Sequence, residues 1–177
     1  WYPKACEKPL SFETEQRFVA AEGTPQDSDV WRIAIFMSPL DVHVNRAPRA
    51  AEIVAMEHRT GKGQRRGPFA PAYRKESEFN ERVRTVFEAE DGERIEVMQI
   101  SGALARTIVP WKGIGDTMRR GERYGMIRLG SRVDIRVPAN LYQPLVVSAE
   151  DQDSNHPKGQ FIKAGSDIIF KRILEEE

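Results

Sequence analysis

The chain has 177 residues, with 27 Lys plus Arg against 27 Asp plus Glu, 40% apolar and 31% charged residues. That length suits one domain, or two small ones sharing a core, that hold without a disulfide or metal, and a zero formal charge gives no global field toward nucleic acid. The single Cys6 excludes an internal disulfide and a cysteine zinc cage, and the longest apolar run, Ile33–Met37, is far short of the ~20 residues that span a bilayer.

Residues 1–29 are polar and weakly patterned, punctuated by Pro3, Pro9, Gly23 and Pro25. The N-terminal Trp-Tyr-Pro-Lys carries no signal-peptide or lipidation pattern, so an intracellular protein is the expectation. The first clear element is Val30–Met37, apolar on both alternating faces, which predicts a strand buried on both sides and ended by Ser38-Pro39. Leu40–Pro48 reads as a loop or edge segment, and Glu52–His58 as a strand. The stretch from His58 to Gly67 holds three glycines and a cluster of basic residues and reads as a positively charged loop. Lys75–Arg84 is mixed and compatible with a helical turn.

Beyond it the β pattern strengthens. Val83, Thr85 and Phe87 alternate with charge, and Ile95, Val97 and Gln99 alternate with Glu96, Met98 and Ile100. Asp91-Gly92 between them predicts a hairpin turn of type I′. Ala103–Val109 is a further short run before Pro110. Arg132–Val137 reads as a strand with Val133, Ile135 and Val137 inward. The last seventy residues hold a faint repeat. Ile108–Asp116 leads to Arg120–Ile127, and Leu145–Val147 leads, through Lys158–Ile162, to Ala164–Ile169. Two such units suit the interlocked hairpins of a barrel-sandwich domain, as in biotin-carrier modules. No long amphipathic helix is visible, so the expected class is mainly β.

Few residues announce chemistry by themselves. The three histidines show no metal-ligand spacing. His43 follows Asp41 by two residues, an arrangement that can orient an imidazole, although a surface histidine near a turn is the commoner case. His58 and His156 read as exposed loop histidines. Gly130-Ser131 is no nucleophile elbow, since no Gly-x-Ser-x-Gly frames it, and a bulge glycine before a strand is the ordinary reading.

Taken together, three segments are more specific. Ile33-Ala-Ile-Phe-Met-Ser-Pro-Leu-Asp-Val-His-Val-Asn-Arg-Ala-Pro48, Asn80-Glu-Arg-Val83 and Gly121-Glu-Arg-Tyr-Gly-Met-Ile-Arg-Leu-Gly-Ser-Arg-Val-Asp134 resemble, in order and spacing, the signatures of the phosphatidylserine decarboxylase family in its short bacterial and archaeal branch. The resemblance covers about Val30 to Ile173. It implies a phosphatidylserine decarboxylase-like fold and one domain over residues 1–177. It also implies self-cleavage at Gly130-Ser131 into a β chain, 1–130, and an α chain, 131–177.

In that scheme Ser131 attacks the carbonyl of Gly130, the resulting ester is eliminated, and the serine remnant becomes a covalent pyruvoyl group. The pyruvoyl ketone serves as the electron sink while the substrate amine loses carbon dioxide. His43 is the residue for proton handling or carboxylate positioning. Asp41 is expected to orient it, Arg46, Arg65 and Arg66 are expected around the lipid phosphate, and Asn80 is expected to bind substrate. The implied substrate is phosphatidylserine, converted to phosphatidylethanolamine, or an archaeal ether-lipid counterpart. The expected partners are that lipid and a peripheral membrane surface, with no nucleic acid, and the two cleaved chains as a heterodimer in the cytoplasm. One departure stands out. The family's Ser-Pro-Ala-Asp-Gly segment, whose Asp helps deprotonate the attacking serine, corresponds here to Tyr2-Pro-Lys-Ala-Cys6, which has no Asp. The hydrophobic N-terminal anchor usual in the family is not seen either. Two other readings follow from these departures: a decarboxylase of another amine or amino acid, and an uncleaved scaffold without chemistry.

Overall fold

Apolar residues that recur at every second position, in runs cut short by glycine and proline, can bury one face of a strand but not the stripe of a helix. The computed structural model describes residues 2–5, 30–59, 80–102, 107–128, 131–146 and 161–173, and these hold twelve strands and no helix. The strands are β1 Tyr2–Ala5, β2 Val30–Met37, β3 Val44–Arg46, β4 Ala51–Arg59, β5 Arg82–Glu88, β6 Arg94–Ile100, β7 Ile108–Pro110, β8 Thr117–Met118, β9 Arg123–Ile127, β10 Ser131–Pro138, β11 Tyr142–Pro144 and β12 Phe170–Arg172. A seven-stranded sheet runs in the order β1-β2-β10-β6-β5-β4-β8, a three-stranded sheet in the order β3-β9-β7, and β11 pairs with β12. Every pairing is antiparallel. The mainly β class is as expected.

Strand β10 lies inside the large sheet, registered from Ser131↔Met37 to Pro138↔Val30 on β2 and from Arg132↔Ile100 to Arg136↔Glu96 on β6. The two-residue period then sorts its side chains. Val133 and Val137 join Met37, Val83, Phe87, Ile95 and Val97 on one face, and these pack with Ile53, Ile108, Tyr124 and Ile127 as the main core. The Phe87 and Tyr124 rings meet edge to face at 5.2 Å, a favoured aromatic geometry. On the same face Ile33 and Ile35 pack with Val146 and Ile162.

The opposite face of β5, β6 and β10 is charged yet buried. Glu96 accepts Arg84 Nε at 2.7 Å and also Arg136 Nη1, while Arg132 pairs with Asp134 and lies 5.7 Å from the Phe36 ring centre. Removing one member of such a buried group costs about 3–5 kcal/mol, because the partner charge is left uncompensated. The network therefore fixes the register of the three strands that carry Ser131.

Several details differ from the sequence reading. The β5–β6 hairpin closes through Gly92 N–H to Ala89 O at 2.9 Å and Ala89 N–H to Glu93 O at 2.8 Å, with Gly92 at φ 79°. That is a three-residue loop ending in a left-handed glycine, not the two-residue type I′ turn expected. Arg82–Arg84 is strand, not helical turn. Pro110 is the last residue of β7, and the described strand around the expected Leu145–Val147 is Tyr142–Pro144, with Leu145 and Val146 outside it and Val147 outside the described residues. Ile168 and Ile169 precede β12 and do not form it. His58 lies in β4, not in a loop, and its Nε2 is 2.8 Å from Glu81 Oε1.

The faint repeat is visible as a shared turn. Gly115 and Gly165 both adopt positive φ, 90° and 76°. The following aspartates accept from the chain just upstream, Asp116 Oδ2 from Gly113 N–H at 2.8 Å and Asp167 Oδ2 from Lys163 N–H at 2.7 Å.

Candidate active site

Ser131 opens β10 and is fully buried. Its side chain shares a face with Val133, and its cross-strand partner on β2 is Met37. The hydroxyl points to Met37 Sδ at 3.9 Å, a weak acceptor. The oxygen is thus shielded from water without being tied into a strong hydrogen bond. Gly130 lies outside the described residues.

His43 is brought to the same corner by two routes. Immediately after Met37, the Ser38–Asp41 turn closes through Asp41 N–H to Ser38 O at 3.0 Å and Ser38 N–H to Asp41 Oδ2 at 2.7 Å. From the other side, Ile127 N–H donates to His43 O at 3.1 Å, four residues before Ser131. His43 Nδ1 lies 2.7 Å from the main-chain oxygen of Asp41. A carbonyl only accepts, so Nδ1 carries the proton and Nε2 is the basic nitrogen of the neutral ring.

Asp41 is the residue expected to orient the ring. It positions the imidazole with its backbone carbonyl, while its carboxylate is spent on the turn. Burial works to raise the Asp41 carboxyl, but the hydrogen bonds from the Ser38 main chain and side chain, together with nearby positive charge, outweigh it and hold the carboxyl below the usual range.

Beside this corner is a cavity of about 460 Å³, lined by Ile35, Met37, Val133, Ile135, Tyr124 and Phe170 among others. It reaches the residues on either side of Ser131, its partner Met37 and its same-face neighbour Val133. Its lining also includes Arg46, Arg49, Arg120, Lys163 and Arg172. Arg49 and Arg172 are paired with Asp91 and Glu93. Burial and the Glu93 carboxylate push the Tyr142 phenol in this cluster up to about 12. Arg46, Arg120 and Lys163 supply the remaining positive charge. Arg46 Nη1 donates to Gly121 O at 2.8 Å, and a Cβ on Gly165 would stand 3.6 Å from Arg46 Nε. The cleft therefore offers an apolar wall and a cationic rim, which suits an amphipathic anion.

Of the other residues singled out in the sequence, Asn80 does not line this cleft. It is buried, and its Nδ2 donates to Ser101 O at 2.8 Å, so it ties β6 to the approach of β5 instead of facing the cleft. Arg65 and Arg66 lie outside the described residues. Arg120 and Lys163 were not legible as site residues. Only the small-Gly-acidic step after Lys163 hinted that the segment mattered.

The site is a shielded serine at the head of an inner strand, beside a histidine turn and an apolar cleft with a basic rim. The chain belongs to the phosphatidylserine decarboxylase family, whose family model matches residues 7–170. It is 45% identical over 147 residues to a phosphatidylserine decarboxylase proenzyme of Streptomyces griseus, covering 80% of this chain and 64% of the relative. The proenzyme of Thermobifida fusca is 47% identical over 127 residues, 69% of this chain and 55% of the relative. A putative archaetidylserine decarboxylase proenzyme of Methanococcoides burtonii is 36% identical over 155 residues, 88% and 66%. The chain thus spans between about half and two thirds of the length of these relatives. No solved structure is significantly similar to it.

Proposed function

We propose that this chain is a self-cleaving decarboxylase that converts phosphatidylserine, or a related aminophospholipid, to its ethanolamine product. The observation that carries the reading is the state of Ser131. Its hydroxyl is buried and directed at the thioether of Met37, the last residue of β2 before the turn that leads to His43. In this reading Ser131 attacks the Gly130 carbonyl, and the chain separates into residues 1–130 and 131–177 within one domain. The two chains stay together as a heterodimer, because β10 keeps β2 on one side and β6 on the other. A buried, largely apolar position at the head of β10 fits a small neutral keto group, and the pyruvoyl derived from Ser131 would supply an electron-withdrawing ketone for the substrate amine.

The chain's own residues do the rest. His43, with Nε2 as the basic nitrogen, holds the carboxylate or moves the proton at the substrate's α-carbon. Arg46, with Arg120 and Lys163, meets the phosphodiester. Arg65 and Arg66 belong to the same proposal as further basic groups. The C-terminal portion is read as a barrel-sandwich of the biotin-carrier kind, supported by the matching turns at Gly115 and Gly165.

The test is an intact mass of the purified chain under denaturing conditions, paired with turnover of phosphatidylserine vesicles and of free serine. Cleavage between 130 and 131 with turnover of the lipid alone is expected. A single uncut, inactive chain would sink the proposal, and turnover of free serine would replace the lipid with a soluble amino acid.

A peripheral membrane surface in the cytoplasm belongs to this reading. Leu40 is 97% exposed at the tip of the hydrogen-bonded Ser38–Asp41 turn, and Val42 beside His43 is half exposed. Arg128, exposed and one residue beyond the Ile127–His43 hydrogen bond, adds positive charge beside them. An apolar tip next to a cation suits the interface of an anionic bilayer. Leu40→Asp is expected to reduce sedimentation of the chain with phosphatidylserine-containing vesicles by about tenfold, the order expected when one buried Leu side chain is lost. Self-cleavage should be unaffected. Equal sedimentation of the two proteins would show that this turn does not touch the lipid.

A further inference from the structure

We propose that Asn45 binds the carboxylate of the serine head group through its Nδ2, and that Gln99 is the positioning residue that holds the Asn45 amide. The proposal rests on the reading that this chain decarboxylates a serine phospholipid, and it names the group that holds the part of the substrate that leaves.

Three strands place this amide. Asn45 lies on β3, is buried, and lines the cavity. Gln99 on β6 is fully buried, and its Nε2 donates to Asn45 Oδ1 at 2.6 Å. The residue opposite Asn45 on β9 is Gly125, where a Cβ would stand 3.4 Å from Gln99 Nε2 and 3.0 Å from Val109 O. Glycine there leaves the Gln99 side chain room to reach β3. Gln99 Oε1 is buried with no partner among the described residues. An unpaired buried oxygen costs free energy, so Gln99 is a poor choice for packing and a good one for fixing a second amide. With Oδ1 held by Gln99, Nδ2 is the donor that Asn45 has left for the cavity, and no described residue takes it.

Sheet register sets this amide toward the Ser131 end of the cleft. Gln99 pairs with Val133 on β10, and Val133 is the next residue after Ser131 on the same face. Val133 and Met37, the cross-strand partner of Ser131, line the same cavity as Asn45. The β3–β9 register shifts between Asn45 and Arg46. Such a bulge re-aims a side chain, and both residues line the cavity, Asn45 buried and Arg46 exposed at the rim.

This order sorts the head group by charge. Arg46, Arg120 and Lys163 are cations for the phosphodiester, and Asn45 is a neutral donor that lines the cavity with Ile35, Met37 and Val133. The chemistry favours that division. When the bond from the α-carbon to the carboxylate breaks, its electron pair stays with the α-carbon, the carboxyl group leaves as neutral carbon dioxide, and a proton returns to that carbon. A cation on the carboxylate would stabilise the starting charge more than the transition state and so raise the barrier. An amide N–H orients the carboxylate with a weaker hold, and His43 is left to move the proton.

The test is turnover of phosphatidylserine in phosphatidylcholine vesicles, and its inhibition by added phosphatidylethanolamine, which differs from the substrate only in lacking the carboxylate. Asn45→Ala is expected to lower kcat/KM for phosphatidylserine by roughly 10–100-fold, the range for one hydrogen bond to a charged group. Inhibition by phosphatidylethanolamine should be unchanged. Asn45→Asp keeps the acceptor for Gln99 Nε2 and replaces the donor with a negative oxygen, so it should be slower than Asn45→Ala. Gln99→Leu should weaken phosphatidylserine alone, by less than Asn45→Ala. Intact mass should show every variant cleaved as the parent is, which also reports that each one folds.

Parental turnover by Asn45→Ala or by Gln99→Leu would overturn the proposal. So would equal weakening of both lipids, which would assign the amide to the phosphodiester or to packing. Asn45→Asp as active as the parent would overturn it as well, because the amide would then present its oxygen to the ammonium group. A variant left uncut would move Asn45 or Gln99 from substrate binding to maturation and overturn it too. A parent chain that is cut and active while these variants fail the test leaves the decarboxylase reading standing, and a parent that is uncut or inactive on phosphatidylserine overturns both.

Discussion

Ser131→Ala is expected to leave the chain whole and without decarboxylase activity, with its fold unchanged. The hydroxyl is the only atom lost, and it contacts Met37 Sδ at 3.9 Å, too weak a partner to contribute much stability. The Cβ and the backbone pairing of β10 with β2 remain. Unfolding is therefore not an available explanation for a chain that fails to cut. Without Oγ no ester can form at Gly130, and without the ester no keto group arises for the substrate amine. Intact mass should give one species, and thermal melting should coincide with that of the uncut parent. If Ser131→Ala were still cut between 130 and 131, the nucleophile would lie elsewhere and the roles built on it would fall.

The large strands were legible for one reason: each has enough residues for a period of two to be read. β2, β4, β5, β6 and β10 all carry it. β11 and β12 have three residues each, and nothing in Tyr142–Pro144 or Phe170–Arg172 separates them from loop. The site was legible where its residues are neighbours in sequence. His43, Arg46 and Ser131 sit in long, specific segments. Register is a tertiary property, fixed here by the buried Arg84–Glu96–Arg136 group as much as by the hydrophobic pattern.

Local geometry decides which atoms of such residues act. An Asp two positions before a His suggests a carboxylate–imidazole pair. The turn instead uses that carboxylate to accept the Ser38 N–H and presents the Asp41 carbonyl to the ring. An Asn within a family-like block suggests a ligand contact, but Asn80 is buried in the framework beneath Ser101. Side-chain type gives the available chemistry, and the backbone bonds nearby decide which atoms perform it.

His43→Ala is expected to separate the two activities of the chain. Cleavage should proceed, since Ser131 is positioned by β2 and β10 and not by the imidazole. Decarboxylation should fall by about 10²–10⁴, the range for losing a positioned acid–base group. The geometry gives the direction. Nδ1–H is committed to Asp41 O, which fixes the ring plane and makes Nε2 the basic nitrogen. The Ile127 N–H to His43 O bond pins the residue to β9 whatever the side chain is, so the turn should survive the substitution. His43→Gln should retain hydrogen bonding without acid–base function. If His43 moves a proton, Gln should be as inactive as Ala, and if it only holds the carboxylate, Gln should recover much of the rate. Intact mass and lipid turnover measured on the same preparations would decide. A His43→Ala chain that no longer cuts would instead assign the imidazole to the serine chemistry, and that chain would show one uncut mass and no turnover.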